Sequence, residues 1–251
     1  MAFFTRYMAV LNQYYAEFEQ PYPWLMIIQE AIKYAATYHK WGMVEYLIVN
    51  LPPQEKAKLK SWSSSASQEY SLGLIPLVVM NGCLKLLLVL IEYFSKYSFL
   101  FATNLLGQGV LHIAAEAGHL EVFQVLQNLT PRLIMAYDMY FNTPLHVACL
   151  HGKINIVEHL IASFYTAIPE YRQMLMAVNY QNETALHLAA EMGHLEVVEL
   201  LVSNIPQSAL CRTIPAQTTP LFLAVKNGHL SGKMIEKLSL TLRISVFNFF
   251  F

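Results

Sequence analysis

Histidine is the residue type in this sequence best suited to chemistry, and it occurs nine times. Imidazoles bind zinc or act as general bases when a second ligand or an orienting carboxylate lies at suitable spacing. Six of the nine recur at the spacing of an internal repeat, and the other three stand in no His-x-x-x-His or Cys-x-x-Cys arrangement. We therefore predict structural histidines and no metal site. The recurrent residues are His112, His146, His187, His119, His194 and His229, and the others are His39, His151 and His159.

The three cysteines, Cys83, Cys149 and Cys211, are odd in number and widely spaced. This pattern favours reduced structural thiols and therefore a reducing compartment, so we expect a cytoplasmic protein. The sequence also contains no nucleophile elbow, phosphate-binding loop, glycine-rich dinucleotide turn or H-E-x-x-H motif. We expect no cofactor and no enzymatic activity.

The recurrent histidines belong to an 11-residue core that occurs four times. Thr143–Lys153 reads TPLHVACLHGK, and related cores begin at Gly109, Thr184 and Thr219. In the last core Phe222 replaces the histidine. A short pattern with four copies indicates a repeat protein.

Each core predicts a helix that begins at the threonine and ends at a glycine. The threonine can accept a hydrogen bond from the first turn, proline suits the first helical position, and glycine tolerates the left-handed conformation at a helix end. A second amphipathic run follows each glycine, such as LEVFQVL from Leu120 and LEVVELLV from Leu195. The predicted unit is therefore helix, tight turn, helix. The terminating glycines are Gly118, Gly152, Gly193 and Gly228.

This pattern resembles the ankyrin repeat, whose T-P-L-H-x-A signature recurs about every 33 residues. The four glycines are 34, 41 and 35 residues apart, and Asn104, Asp138 and Asn179 place a turn former five residues before a core. The resemblance implies an all-α fold, an ankyrin-repeat solenoid of about six helix-turn-helix units with degenerate terminal units.

The resemblance and its flanks predict four segments. They are an N-terminal helical cap at 1–23, degenerate ankyrin-like units at 24–103 with a polar Ser-rich loop near 52–70, clear repeats at 104–230 with an insertion near 163–178, and a C-terminal cap with an apolar tail at 231–251.

Residues 72–91 carry one charge and have the length of a membrane span. Pro76, Asn81 and Lys85 oppose insertion, and Gly82 aligns with Gly152 of a clear repeat. We therefore favour a buried solenoid unit, with a transmembrane helix as the alternative.

The composition limits the possible partners. Charged residues make up 13% of the chain, about half the usual ~25%, while hydrophobic residues make up 55%. The net charge of −1 gives no long-range attraction to nucleic acid or to anionic lipid. We expect an apolar surface, a monomer, and a protein partner of unknown identity, with no nucleic acid and no membrane.

The ankyrin resemblance implies where such a partner binds, namely at the turn tips and on the exposed side of the first helices. The tips contain an apolar strip of types that are enriched in protein interfaces. The alternative is that these side chains pack against the insertion or a neighbouring tip. The candidate partner-binding residues are Leu105, Leu106, Glu116, Met139, Tyr140, Phe141, His151, Tyr180, Gln181, Glu191, Met192 and Lys226.

We therefore predict a non-catalytic protein-protein interaction module that binds its partner through the concave groove and the turn tips. One alternative is the targeting region of a larger enzyme or effector, truncated after the last repeat, and another is a membrane-associated ankyrin protein. An effector of an intracellular bacterium is one possible origin, and would place the chain in the host cytosol.

Overall fold

Pairs of antiparallel helices follow one another along the chain in a computed structural model that describes residues 41–49, 74–93, 100–101, 103–166, 174–229 and 231–240. The chain divides into two units, Met1–Trp62 and Ser63–Phe251. No strand occurs in the described residues, so the all-α prediction is confirmed. The helices are α1 Trp41–Val49, α2 Leu74–Met80, α3 Leu84–Tyr93, α4 Val110–Ala117, α5 Leu120–Leu129, α6 Pro144–Leu150, α7 Ile154–Thr166, α8 Ala185–Glu191, α9 Leu195–Asn204, α10 Pro220–Lys226 and α11 at 232–240.

In the first unit the described part is α1, which buries Val44 and Ile48. Their spacing of four residues places both on one face of the helix. The predicted cap at 1–23 and the Ser-rich loop near 52–70 lie outside the described residues, as do residues 24–40 of the predicted degenerate units.

The second unit is built in two layers. The short first helices α2, α4, α6, α8 and α10 pack on one another in chain order. Each of the first four also packs on the longer second helix that follows it. Two 3-10 segments, Pro131–Met135 and Pro206–Leu210, follow the second helices α5 and α9. Each helix pair therefore contacts the helix pairs that precede and follow it in sequence, as in a solenoid.

The repeated core begins each first helix as predicted from its residue types. The Thr143 Oγ1 atom lies 3.4 Å from the His146 backbone nitrogen, which donates to it, and 2.8 Å from His146 Nδ1. The Thr184 hydroxyl lies 2.9 Å from His187 Nδ1, and in both caps the threonine backbone nitrogen donates to the histidine Nδ1, at 3.3 Å and 3.1 Å. This reciprocal cap satisfies donors that the first turn leaves without helical partners.

The terminating glycines adopt the left-handed conformation that their positions require. Gly152 has φ 63°, and a β-carbon there would lie 2.6 Å from the ring of His194. Gly82 has φ 67° and separates α2 from α3. The apolar run at 72–91 is therefore broken into two short helices, and among the described residues no helix has both the length and the hydropathy of a membrane span.

Candidate partner-binding surface

Four turns project from the ends of the helix pairs: turn 1 (104–108), turn 2 (138–142), turn 3 (179–183) and turn 4 (213–218). In turn 2 the buried Asp138 carboxylate accepts hydrogen bonds from the backbone nitrogens of Tyr140 at 2.9 Å and Asn142 at 2.8 Å. The Asn104 and Asn179 side chains make the equivalent pair of contacts in turns 1 and 3. A short side-chain acceptor at the first position therefore determines the shape of these turns.

Backbone hydrogen bonds join the four turns into a row. Met139 N donates to Leu106 O at 2.9 Å, Tyr180 N donates to Tyr140 O at 2.9 Å, and Ile214 N donates to the carbonyl of Gln181 at 2.8 Å. Asp138 and Asn179, which the sequence pattern identifies as turn formers, therefore begin adjacent turns.

The row carries exposed apolar side chains along its length. Tyr180 is 80% exposed, and Met139, Tyr140 and Phe141 are each more than half exposed. Leu105 and Leu106 extend the same strip at turn 1, where both are exposed. We call these six residues the tip strip.

Phe141 stands out within the tip strip because of its backbone. It has φ 62°, and the corresponding positions of turns 1 and 3 hold Gly107 at 73° and Asn182 at 60°. Glycine and asparagine tolerate this left-handed region, whereas a bulky residue there is strained. The Phe141 ring lies 6.0 Å from the ring of Tyr137, which is itself exposed. Burial therefore offers little compensation for the strain.

The candidate residues on the first helices occupy equivalent positions at the ends of the stacked helices. Glu116 and Glu191 are half-buried, and Lys226 is exposed. His151 and Met192 follow α6 and α8 directly and are exposed. All five lie at the end of a first helix in the stack.

A cleft of about 390 Å³ lies between turns 2 and 3 and the helices α6 and α8. It brings together four of the sequence-predicted residues, Tyr140, Tyr180, Gln181 and Glu191. The sequence analysis missed Glu183, which lines the same cleft. The sequence does mark Glu183 as unusual, because it stands directly before the Thr184 cap, where the preceding unit has the neutral Asn142. The remaining lining residues are Asn142, Leu150, Asn179 and Leu188.

Glu183 has an unusual environment for a carboxylate. Its side chain is buried, and Asn179 Nδ2 donates to its Oε2 at 2.9 Å. Burial raises its pKa, the negative charge of Glu191 raises it further, and the Asn179 hydrogen bond lowers it. Two carboxylates therefore face one cleft, and the charge of Glu191 disfavours the charged form of Glu183.

The histidines of the core connect successive units. His112, His146 and His187 each place Nε2 at 3.0 to 3.3 Å from a carbonyl at the next turn, those of Asn142, Glu183 and Thr218 respectively. Burial lowers the pKa of all three, to about 4 for His146 and His187.

The histidines that follow the glycines reach back in the chain instead. His119, His194 and His229 bond the carbonyls of Met80, Leu150 and Glu191, at 3.0, 3.1 and 2.8 Å. Within the described residues, no group of three or more metal-binding side chains comes together. The predicted structural role of all six recurrent histidines is confirmed by these contacts.

The cysteines are free thiols. Cys149 is fully buried against the neighbouring helices, and burial raises its pKa. Burial also raises the pKa of Cys83, to about 11, and that of Cys211. Thiols with raised pKa values are poor nucleophiles at neutral pH, which fits structural positions.

Comparison with known proteins identifies related sequences. A family model described as ankyrin repeats matches this chain in three copies, at residues 75–171, 126–209 and 173–239. A 62-residue stretch is 40% identical to part of Protein ACCELERATED CELL DEATH 6 from Arabidopsis thaliana. The match covers 25% of this chain and 9% of the plant protein.

Proposed function

Because this chain belongs to the ankyrin-repeat family, we propose that it binds a protein partner through the tip strip and the adjoining groove formed by the ends of the first helices. Ankyrin repeats are protein-interaction modules, and no membrane-spanning helix is found among the described residues. The partner, its binding residues and the absence of catalysis are part of this proposal.

The exposure of the tip strip carries the proposal. Met139, Tyr140, Phe141 and Tyr180 project from two turns whose backbones are hydrogen-bonded to each other. Aromatic side chains lose little conformational entropy for the contact area they supply, and aromatic and Met side chains are enriched at the centres of protein interfaces. The row of backbone hydrogen bonds holds them in place before binding, which lowers the cost of association.

We place the protein in the cytoplasm as a monomer. The three thiols are free, which fits a reducing compartment. The low net charge argues for short-range apolar recognition over electrostatic steering.

A pull-down with matched variants tests this function. The tip variant carries Met139→Ser, Tyr140→Ser, Phe141→Ser and Tyr180→Ser. The control variant carries Leu88→Ser and Leu240→Ser, which remove exposed apolar side chains from second helices. We expect the tip variant to lose one or more partners that the native chain and the control variant both retain.

Circular dichroism of all three proteins checks that the helical content is unchanged. The four replaced side chains are at least half exposed, so their loss removes little buried surface. Recovery of the same partners by the folded tip variant and the native chain would refute the assignment of the surface.

A further inference from the structure

The cleft between turns 2 and 3 has a chemical character that the rest of the tip strip lacks. We call it the acidic cleft and define it by Tyr140, Tyr180, Leu150, Leu188, Glu183 and Glu191. It combines two carboxylates, two aromatic side chains and two aliphatic side chains around one volume.

No cationic side chain among the described residues balances the carboxylates of the acidic cleft. Neither Glu183 nor Glu191 forms an ion pair with any described residue. Glu183 is 7% exposed, and Asn179 reaches its Oε2 at 2.9 Å. Its other oxygen, Oε1, accepts no hydrogen bond from the residues that the structure describes. Oε1 is not a sealed, unsatisfied atom, because among the described residues Trp41 Nε1 is the buried side-chain polar atom that lacks a partner. Oε1 is therefore open to a donor that enters the cleft.

The electrostatics of Glu183 are consistent with a site that awaits a positive charge. Burial and the neighbouring Glu191 both raise the pKa of Glu183, which means that its charged form is disfavoured in the free protein. A cation placed between the two carboxylates offsets the repulsion from Glu191, because it supplies an opposite charge to each carboxylate.

The walls of the cleft suit the stem of a long basic side chain. Tyr140 and Tyr180 lie side by side because Tyr180 N donates to Tyr140 O, and both are exposed. A guanidinium or ammonium group is attracted to the faces of tyrosine rings. Leu150 and Leu188 supply apolar surface for the methylene groups of lysine or arginine.

Building on the proposed function, we propose that the acidic cleft receives the cationic side chain of an arginine or lysine of the protein partner. Its head group lies between the carboxylates of Glu183 and Glu191, and its methylene chain lies between the tyrosines and the leucines. The acidic cleft then supplies specificity, and the apolar tip strip supplies contact area. Arginine fits best, because its planar head group donates to two carboxylates and stacks on an aromatic ring.

Nuclear magnetic resonance with short peptides tests this inference on the full chain. The probes are acetyl-Gly-Arg-Gly-amide, the lysine equivalent, and the citrulline equivalent, which has nearly the shape of arginine without its charge. Chelator and low salt exclude divalent cations and limit screening. We expect saturable shifts of the Gln181, Glu183 and Glu191 amides with the arginine and lysine peptides, and none with citrulline.

Variants locate the binding to the carboxylates. Glu191→Gln keeps the shape of a half-buried side chain and is expected to weaken arginine peptide binding about tenfold, the effect of losing one charge-assisted contact. Glu183→Gln is expected to act in the same direction. Glu196→Gln, an exposed change on α9 away from the cleft lining, leaves binding unchanged.

Equal shifts with arginine and citrulline, no saturable shift at the cleft, or undiminished binding to Glu191→Gln would overturn the inference. This outcome is separate from that of the pull-down. If the tip variant loses a partner while the arginine peptide produces no shift, the cation site alone fails. If the peptide binds but the tip variant keeps every partner, the proposed function fails.

Discussion

The α6 unit in the middle of the array and the α10 unit near its described end share a core but use it differently. In the α6 unit, His146 completes the cap with Thr143 and also reaches the carbonyl of Glu183 in the next turn. In the α10 unit, Thr219 still accepts from Phe222 N at 3.3 Å, while the Phe222 side chain is 53% exposed. The threonine therefore begins a helix without help from the histidine, and the histidine connects one unit to the next.

The glycines that end the first helices of the two units also differ in their contacts with the unit that follows. Gly152 and Gly228 both have positive φ, at 63° and 80°. A β-carbon at Gly152 would overlap the His194 ring, whereas one at Gly228 would meet none of the described residues within 4 Å. Both glycines adopt the same left-handed backbone conformation. They differ in whether a side chain of the following unit packs against them.

The largest expected effect is a difference between two alanine substitutions. Gly228→Ala should lower the free energy of unfolding by about 1–2 kcal/mol, the cost of a left-handed alanine. Gly152→Ala carries that cost and also displaces the His194 ring, which is bonded to Leu150 O at 3.1 Å, so we expect roughly 2 kcal/mol more. Urea denaturation followed by circular dichroism measures both. Equal losses would show that the following unit does not press on Gly152.

Acid is expected to have a smaller effect per residue than Gly152→Ala. The pKa values of His146 and His187 are about 4 in the folded chain and about 6.5 when unfolded, so the unfolded chain binds more protons between these values. The free energy of unfolding should be constant above pH 6.5 for these groups and fall as the pH drops towards 4, on the order of 2–3 kcal/mol per imidazole. Glu183, whose pKa is raised, opposes this trend in part. Urea denaturation at a series of pH values measures it.

Two variants serve as controls for the acid effect. His146→Gln removes one buried imidazole and should reduce the dependence on pH. Phe222→His adds an imidazole at a position where the side chain is exposed, so it should leave the dependence unchanged. A steeper dependence in Phe222→His would mean that the α10 unit buries its core residue as the α6 unit does.

The smallest expected effect concerns turn 2, at the start of the α6 unit. Phe141→Asn places at φ 62° a residue type that turn 3 already holds there at Asn182, so the free energy of unfolding should rise by about 0.5–1 kcal/mol. Tyr140→Asn changes an equally exposed tip residue without left-handed strain and should give no gain. Thermal unfolding of the two variants measures whether stability rises in Phe141→Asn and not in Tyr140→Asn. A gain confined to Phe141→Asn, with partner binding weakened, would show that stability is given up at this tip for recognition.

Much of the fold was predictable because its signals are local and repeated. Thr143, Pro144 and Gly152 mark the beginning and end of a helix through capping, a missing N–H and a left-handed backbone, and each effect acts within a few residues. The regular recurrence of the core then predicted that the helix pairs stack in their order along the chain. The predicted domain boundaries and the insertion near 163–178 stay predictions, since residues 167–173 lie outside the described set.

The candidate surface was predictable only in part. The tip positions of Tyr140 and Tyr180 follow from the repeat register, but their exposure depends on what packs beside them. Alignment of Phe141 with Gly107 in the sequence could have predicted the left-handed backbone of Phe141. A bulky aromatic residue disfavours that conformation, however, so the residue type alone predicts the opposite. The predicted partner-binding residues remain predictions until a partner is identified.

The sequence by itself determined the helices and their order along the chain, because those properties depend on short-range patterns repeated at a constant period. Tertiary structure alone decided that Glu183 and Glu191 face one cleft with Tyr140 and Tyr180. These residues belong to two turns and a helix, and only the stacking of two units brings their side chains around a common volume. Charge and burial at that cleft are properties of the assembled units, so no single repeat could have revealed them.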